Sequence, residues 1–213
     1  MSGEAPPSGD APATTDRRVL RGQRNRAALV DAVIDLIEEG ELTPTAGQIA
    51  ERAGVALRSI YHHFDDLDGL TRAVADEQLI RLADVLRPIP TDAPFDERLS
   101  VFVRQRAELM ERGMAVYRAS LLAVPRNPAV GRRMAFTNQF LREELAQTFA
   151  EELKGRPGWV LEALDLLTSY DGWIRLRLGQ GLSVLRARRL IAGVVPDLLG
   201  VGTEPQVEGE GRG

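Results

Sequence analysis

The sequence predicts an all-α fold, for three reasons. Apolar residues recur three and four positions apart through most of the 213 residues, which is the spacing of one face of a helix. Alternation of apolar and polar residues, the pattern of a strand, is nearly absent. Residues that favour helix starts and helix ends also flank the periodic segments. We therefore expect nine helices and no sheet.

The first helix is expected to end at Gly40, because glycine is common just after a helix. It has one apolar stripe, formed by Leu29, Val33, Leu36 and Ile37.

The second and third helices form a close pair. Thr45 and Gln48 fit a capping box, which satisfies free backbone donors at a helix start, and Gly54 suits a left-handed position at the end. The third helix follows Val55 and has Ile60 and Phe64 on its inner side. Residues 45–64 therefore contain a helix, a tight turn and a second helix, with the spacing of a helix-turn-helix motif. In that motif the second helix enters the DNA major groove.

A fourth helix is expected to start in an acidic cluster, since carboxylates stabilise a helix N-terminus, and to run through Leu86 until Pro88 and Pro90 break it. The cluster comprises Asp65, Asp66 and Asp68. We take the proline pair as the main domain boundary. The predicted segments are a disordered tail 1–16, a helix-turn-helix domain 17–66, a connecting helix 67–88, a second helical domain 89–202 and a disordered tail 203–213.

Five more helices are expected in the second domain. Their approximate ranges are Pro94–Gly113, Ala115–Val124, Pro128–Lys154, Trp159–Gln180 and Ser183–Leu199. Asn127 followed by Pro128 is typical of a cap and a first-turn proline. Pro196 is expected to kink the last helix or to end it early.

Composition excludes several classes of protein. The chain has no cysteine, which removes disulfide scaffolds and thiolate metal sites, and its two histidines are adjacent, which disfavours a histidine metal centre. We expect no cofactor and no metal. No apolar run is long enough to cross a membrane, and residues 1–16 have no signal-peptide core, so we expect a cytoplasmic protein. Lys154 is the only lysine beside 26 arginines, a bias that suggests a GC-rich bacterial genome.

The charge is unevenly distributed. The formal net charge is −4, yet residues 17–64 carry seven arginines against six carboxylates. Five of those arginines, within ten residues, have no acid among them: Arg17, Arg18, Arg21, Arg24 and Arg26. This segment is either an arm that contacts DNA in the minor groove or a solvated tail.

The chain from Arg26 to Leu70 resembles the TetR family of bacterial transcriptional regulators. The resemblance lies in two segments, RAALVDAVIDLIEEG and PTAGQIAERAGVALRSIYHHFDDLDGL. The shared elements are an Ala-Gly-Val turn, a Tyr-x-x-Phe ending of the third helix, and a leucine six residues later. Here they are Ala53-Gly54-Val55, Tyr61-His62-His63-Phe64 and Leu70. The rest of the chain resembles the family in size and helix order.

Three residues depart from the family pattern. Ala56 stands where Ser or Thr usually opens the third helix, which removes a cap worth about 1 kcal/mol. Leu67 stands where the family usually has Lys, which removes a phosphate-contacting charge. Leu57 occupies a position that is often polar and faces DNA, so it is expected to contact a thymine methyl group.

The resemblance assigns roles on the outer face of the helix-turn-helix. Arg58 is the best candidate for a bidentate contact to guanine. Phosphate contacts are expected from Thr45, Ser59 and Tyr61. His62 faces outward toward phosphate or base, whereas His63 is expected to be packed. The complete predicted DNA-binding set is Arg24, Arg26, Thr45, Leu57, Arg58, Ser59, Tyr61 and His62.

The resemblance also implies a cavity in the second domain that binds a small effector. Its predicted walls are Met114, Tyr117, Phe140, Tyr170 and Trp173, with polar anchors among Arg104, Asn138, Asp171 and Arg175. For any one of these apolar residues, ordinary core packing is the alternative interpretation.

The last two helices are predicted to form a dimer interface. One contributes Leu164, Leu167, Ile174 and Leu178, and the other Val184, Ile191, Val194 and Leu198. Burial of these stripes within one protomer is the alternative. Dimerisation pairs two reading heads about one DNA turn apart, as a palindromic operator requires. We therefore expect a homodimeric repressor that a small-molecule effector releases from operator DNA, although activation is also compatible.

Two other functions remain open. A helix-turn-helix regulator controlled by a protein partner fits the same first 70 residues. An all-helical enzyme is disfavoured, because His62 and His63 lie in the predicted DNA-binding domain and the cluster 65–69 lacks the spacing of a calcium loop.

Overall fold

The computed structural model describes residues 12–64 and 66–202, and all regular structure in these ranges is helical, which confirms the predicted all-α fold. Helix α9 continues as a π-helical segment, Arg175–Gly179. The helices are α1 Pro12–Glu38, α2 Ala46–Arg52, α3 Arg58–His63, α4 Leu67–Leu82, α5 Phe95–Ala123, α6 Pro128–Thr148, α7 Ala150–Leu153, α8 Trp159–Thr168, α9 Tyr170–Ile174 and α10 Val184–Leu199.

The chain divides into two compact units, Met1–Glu77 and Gln78–Gly213, and the division falls within α4. Helix α1 begins at Pro12, inside the segment 1–16 that composition predicts to be disordered. Residues 1–11 of that tail, the whole predicted tail 203–213 and Asp65 lie outside the described residues.

The N-terminal unit packs α1, α2, α3 and the first turns of α4 around a small aliphatic core. Among its most buried side chains are Leu29, Ile34, Ile60 and Leu70. Apolar burial of this kind is the main favourable term for so small a unit. An ion pair between Arg52 Nη2 and Glu39 Oε2, 2.6 Å apart, joins α2 to the end of α1.

The C-terminal unit has a larger core, contributed by the end of α4 and by α5 to α10. Its largest fully buried side chains are Phe102, Met110, Leu145, Phe149, Leu164, Trp173 and Ile191. Two buried arginines cross-link α5 to the α6–α7 segment. Arg98 Nη2 lies 2.5 Å from Glu152 Oε1, and Arg106 Nη2 lies 2.6 Å from Glu144 Oε2.

The expected break at Gly113 is wrong, since α5 runs without interruption from Phe95 to Ala123. Gly113 is needed for a different reason. The ring of Tyr170 occupies the space in which a side chain at position 113 would begin, so the glycine permits close packing of α9 on α5.

Three other expected helices differ in their bounds. Helix α4 ends at Leu82, before the proline pair, and α6 ends at Thr148 rather than near Lys154, because the fully buried Phe149 leaves helical geometry. The expected helix 159–180 is broken at Ser169, whose extended backbone and side-chain cap start α9. By contrast, α10 ends at Leu199, as its expected range has it, and Pro196 lies within the helix and does not end it early.

Candidate DNA-recognition surface and ligand cavity

Helices α2 and α3 have the local geometry that the capping residues predict. Thr45 Oγ1 accepts a hydrogen bond from Gln48 N at 3.3 Å, and Thr45 N donates to Gln48 Oε1 at 2.8 Å, which completes the capping box. Gly54 has a φ of 66°, a left-handed conformation that disfavours other residues. Val55 N donates to Ala50 O at 3.0 Å and closes the turn before α3.

The start of α3 has no side-chain cap, as the alanine at position 56 predicts. Instead, Ser59 N donates to Ala56 O at 2.8 Å and Ile60 N donates to Leu57 O at 3.2 Å. These bonds satisfy part of the first turn without a hydroxyl group.

One face of α3 is buried and the other is open to solvent. Ile60 and the adjoining Phe64 pack in the core, as expected. The predicted DNA-binding residues Leu57, Arg58, Tyr61 and His62 are exposed, and Ser59 is half-buried. Tyr61 is 58% exposed although its ring is large and largely apolar, so the protomer presents an aromatic, basic and hydroxyl-bearing surface here. Such a mixture can contact both phosphates and base edges.

Residues 17–26 belong to the helix α1, so they are not an extended arm. Arg24 and Arg26 are exposed, and the guanidinium carbon of Arg26 lies 5.0 Å from the centroid of the Phe64 ring. The side chains of Arg17 and Arg18 lie outside the described residues.

His63 is half-buried beside two other groups that can carry positive charge. Its ring lies 5.1 Å from the ring of His62, and Arg26 is close enough to repel a proton on it. Burial, and then these two neighbours, lower the pKa of His63 below its ordinary value of 6.5. His63 therefore favours the neutral form, whereas its neighbour His62 is exposed.

The C-terminal unit contains a cavity of about 350 Å³ between α4, α5, α6 and α9. This volume lies in the range of small-molecule sites. Its walls are formed by Leu79, Leu82, Ala83, Leu86, Leu109, Phe136, Thr137, Phe140, Leu141 and Tyr170.

Two of the predicted ligand-binding residues, Phe140 and Tyr170, line this cavity. Tyr117 lies behind it, with its ring stacked on Tyr170 at 4.5 Å, and its hydroxyl donates to Asp171 Oδ2 at 2.9 Å. Burial, and then that hydrogen bond, raise the pKa of Tyr117 to about 12. Asn138, which is near the Tyr117 hydroxyl, opposes this rise in pKa.

The other predicted ligand-binding residues lie elsewhere. Met114 packs against the core, and Arg104 and Arg175 are exposed. Trp173 is fully buried, and its Nε1 donates to Glu111 Oε1 at 2.6 Å. Most of the wall comes instead from aliphatic residues that sequence patterns cannot distinguish from ordinary core, and four of these lie at the end of α4 or just after it.

The helices predicted to form a dimer interface present both buried and exposed apolar residues. Leu164 and Ile191 are buried within the protomer, and Leu167, Val184 and Leu198 pack partly against its core. Leu178 is exposed, whereas Ile174 and Val194 are half-buried. Further large apolar side chains that the sequence patterns did not single out are exposed on α8 and α10: Trp159, Leu166 and Leu185.

No helix in the described ranges has the length and apolarity needed to cross a bilayer. Among the same residues, no group of three or more histidine or carboxylate side chains is arranged to hold a metal ion.

Known proteins resemble this chain along most of its length. It is 32% identical over 175 residues to the HTH-type transcriptional regulator BetI of Cronobacter sakazakii, which covers 78% of this chain and 86% of the relative. It is 30% identical over 166 residues to BetI of Klebsiella pneumoniae, covering 72% and 82% of the two chains.

The fold is also that of solved regulators. A TetR-family transcriptional regulator from Mesorhizobium loti superposes with a TM-score of 0.63 at 20% identity, covering 84% of this chain and 97% of that one. No family model matches the sequence. Two findings support one assignment: the sequence identity to helix-turn-helix regulators, and the exposed helix α3 that follows the capped helix α2. The chain belongs to the TetR family and is a DNA-binding transcriptional regulator, not an enzyme.

Proposed function

We propose that the protein is a homodimeric repressor that a small-molecule effector releases from a palindromic DNA operator. The observation that carries this proposal is the position of α4. Four of the ten residues that line the cavity lie at the end of this helix or just after it, and Leu70 and Val74 of the same helix lie in the core of the N-terminal unit.

Operator recognition is assigned to the exposed face of α3. The planar guanidinium of Arg58 can pair with two acceptors of guanine, and its neighbour Leu57 offers an apolar contact for a thymine methyl group. Tyr61, Ser59 and Thr45 supply hydroxyl groups for phosphate oxygens, which set position without specifying sequence. Arg24 and Arg26 extend the positive surface along α1.

Dimerisation is assigned to the exposed apolar residues of α8, of the π-helical segment and of α10. Trp159, Leu166, Leu178 and Leu185 are all more than half exposed in the protomer. Large apolar side chains in neighbouring helices that remain in water are typical of a surface covered by a partner. A second copy of the chain related by two-fold symmetry fits, since a palindrome needs two identical heads.

Effector control follows from the position of the cavity. A ligand that fills it contacts α4 directly and favours whichever arrangement of that helix fits the ligand. If that arrangement differs from the DNA-bound one, linkage requires the ligand and DNA to weaken each other's binding, by about 5–150-fold for a coupling of about 1–3 kcal/mol. A protein of this kind acts in the bacterial cytoplasm, where the chromosomal operator is found.

The test is selection of bound sequences from a random duplex pool at stated salt, followed by footprinting and sedimentation of the complex. We expect an enriched palindrome with half-sites about one turn apart and two protomers per site. A thermal-shift screen then identifies small molecules that bind, and each is added to the operator complex. A single half-site bound by one protomer would refute the dimer. Operator affinity that no bound small molecule changes would refute effector release and favour control by a protein partner.

A further inference from the structure

The cavity of the C-terminal unit is unusually poor in polar groups. Eight of its ten lining residues are aliphatic or phenylalanine side chains, and the remaining two are Thr137 and Tyr170. No lining residue carries a charge at neutral pH: the only titratable group is the Tyr170 phenol, which is neutral there, and burial raises its pKa further.

The two polar groups of the lining already have partners within the protein. Thr137 Oγ1 donates to Arg133 O at 3.1 Å, and Tyr170 Oη donates to Leu109 O at 3.3 Å. Both hydroxyl protons are therefore used within the protein, and neither is available to a ligand in the cavity. A charged ligand would therefore exchange its hydration for hydrocarbon walls, which is strongly unfavourable.

Two arginines lie beside lining residues without lining the cavity themselves, and the Nε atom of Arg106 has no hydrogen-bond partner among the described residues. Arg106 is buried behind Leu141, and its Nη2 donates to Leu141 O at 3.0 Å and to Glu144 Oε2 at 2.6 Å. The guanidinium carbon of Arg133 lies 5.9 Å from the Phe136 ring, outside the lining. Phe136 and Phe140 themselves are 61% and 46% exposed, so a ligand in the cavity would cover aromatic surface that now faces water.

We propose that the effector of this regulator is an uncharged, largely hydrocarbon or aromatic molecule that binds in this cavity against Phe136 and Phe140. The proposal rests on the effector role proposed above and adds the chemical class of the ligand. At the packing density of protein interiors, a cavity of about 350 Å³ accommodates about 260 Å³ of ligand. A compact molecule of two or three rings has this size, and a polar group on it could donate a hydrogen bond to Thr137 Oγ1 or Tyr170 Oη.

The test compares three probes that share one skeleton. N-phenyl-1-naphthylamine is uncharged, 8-anilino-1-naphthalenesulfonate adds one negative charge, and the corresponding sulfonamide adds the same bulk without the charge. Binding to the full chain is followed by probe fluorescence and by calorimetry, without DNA. We expect saturable binding of the amine and of the sulfonamide, and binding of the sulfonate at least about tenfold weaker than the sulfonamide.

Variants locate the site. Ala83 lines the cavity yet is exposed, so Ala83→Trp fills the space with little risk to folding, and Ala83→Asp places a carboxylate on the wall. Each should weaken binding of the amine at least about tenfold. Ala135→Trp is the matched control, because Ala135 is exposed on α6 and lies outside the lining. Circular dichroism establishes that the helices remain formed.

The outcomes separate this inference from the proposed function. Equal binding of sulfonate and sulfonamide, no binding of the amine, or an effect of Ala135→Trp as large as that of Ala83→Trp would overturn the ligand class or its site. Binding that meets every expectation but leaves operator affinity unchanged would support the cavity assignment and refute an effector role for this ligand.

Discussion

Tyr170 packs its ring directly against α5 at Gly113, in space that any other residue would fill with its Cβ atom. A Cβ atom at Gly113 would lie 2.9 Å from Cζ of Tyr170 and nearer still to its hydroxyl. This close approach lets Tyr170 Oη donate to Leu109 O and lets the ring stack on Tyr117. The same tyrosine forms part of the cavity wall.

Gly113→Ala should therefore destabilise the C-terminal unit, although alanine is the better helix former by about 1 kcal/mol. Overpacking against the Tyr170 ring costs about 1–3 kcal/mol, and we expect a net loss seen as a lower midpoint of urea unfolding. Adding Tyr170→Phe to Gly113→Ala should restore part of the lost stability, because it removes the hydroxyl group nearest to the new Cβ atom.

The control for this prediction is Gly131→Ala. Gly131 is also helical, but its nearest contact to an added Cβ would be 3.4 Å from a Val124 methyl group. We expect Gly131→Ala to be neutral or stabilising. Equal midpoints for the variants at 113 and 131 would show that the Tyr170 contact is unimportant.

Arg58→Ala should reduce sequence discrimination while leaving the fold intact, because the Arg58 side chain is exposed. Loss of a bidentate base contact corresponds to about 1–3 kcal/mol, or about 5–150-fold in operator affinity. The measurement is fluorescence anisotropy of operator and of scrambled duplex at one salt concentration. Arg126→Ala removes the same charge from an exposed position after α5, away from the surface assigned to dimerisation, and an equal loss there would indicate a nonspecific charge effect.

Arg106→Met should cost about 3–5 kcal/mol of unfolding free energy, because it leaves Glu144 buried without its partner. Burial already raises the pKa of Glu144, and loss of Arg106 removes the attraction that opposes this shift. Adding Glu144→Leu should recover much of the stability. Arg142→Met, which breaks the more exposed ion pairs with Glu162 and Asp165, should cost no more than about 1 kcal/mol. Chemical unfolding of the wild-type protein, the two single variants and the Arg106→Met/Glu144→Leu double variant measures these losses of unfolding free energy. Similar losses for Arg106→Met and Arg142→Met would contradict the prediction.

The N-terminal unit should lose stability as the pH falls through the region near 6.5. The pKa of His63 is lower in the folded chain than its ordinary value of 6.5, so the unfolded chain binds a proton first as the pH falls. The stabilising contribution is complete above pH 6.5 and is lost progressively below it, down to the folded pKa. His63→Gln should reduce the difference in melting temperature between about pH 7.5 and about pH 5.5. An unchanged difference would show that another group controls this pH dependence.

Local signals in the sequence determined much of the N-terminal unit. The capping box at Thr45, the left-handed Gly54 and the inward Ile60 and Phe64 depend on residues close together in the chain, and each is confirmed. The absence of a cap before α3 follows in the same way from Ala56. Short-range rules sufficed because backbone hydrogen bonds at helix ends are satisfied locally.

Tertiary structure decided the C-terminal unit. Glycine is typical of a helix break, yet Gly113 lies within the continuous helix α5. It is the residue against which the ring of Tyr170, distant in the chain, packs. The cavity depends likewise on Leu79, Leu82 and Leu109, whose apolar character is identical to that of core residues in sequence. Whether such a side chain meets another side chain or an empty space depends on how helices distant in the chain pack together. The sequence by itself therefore determined the helical fold class and the exposed face of α3, whereas packing determined where several helices break and the shape of the cavity.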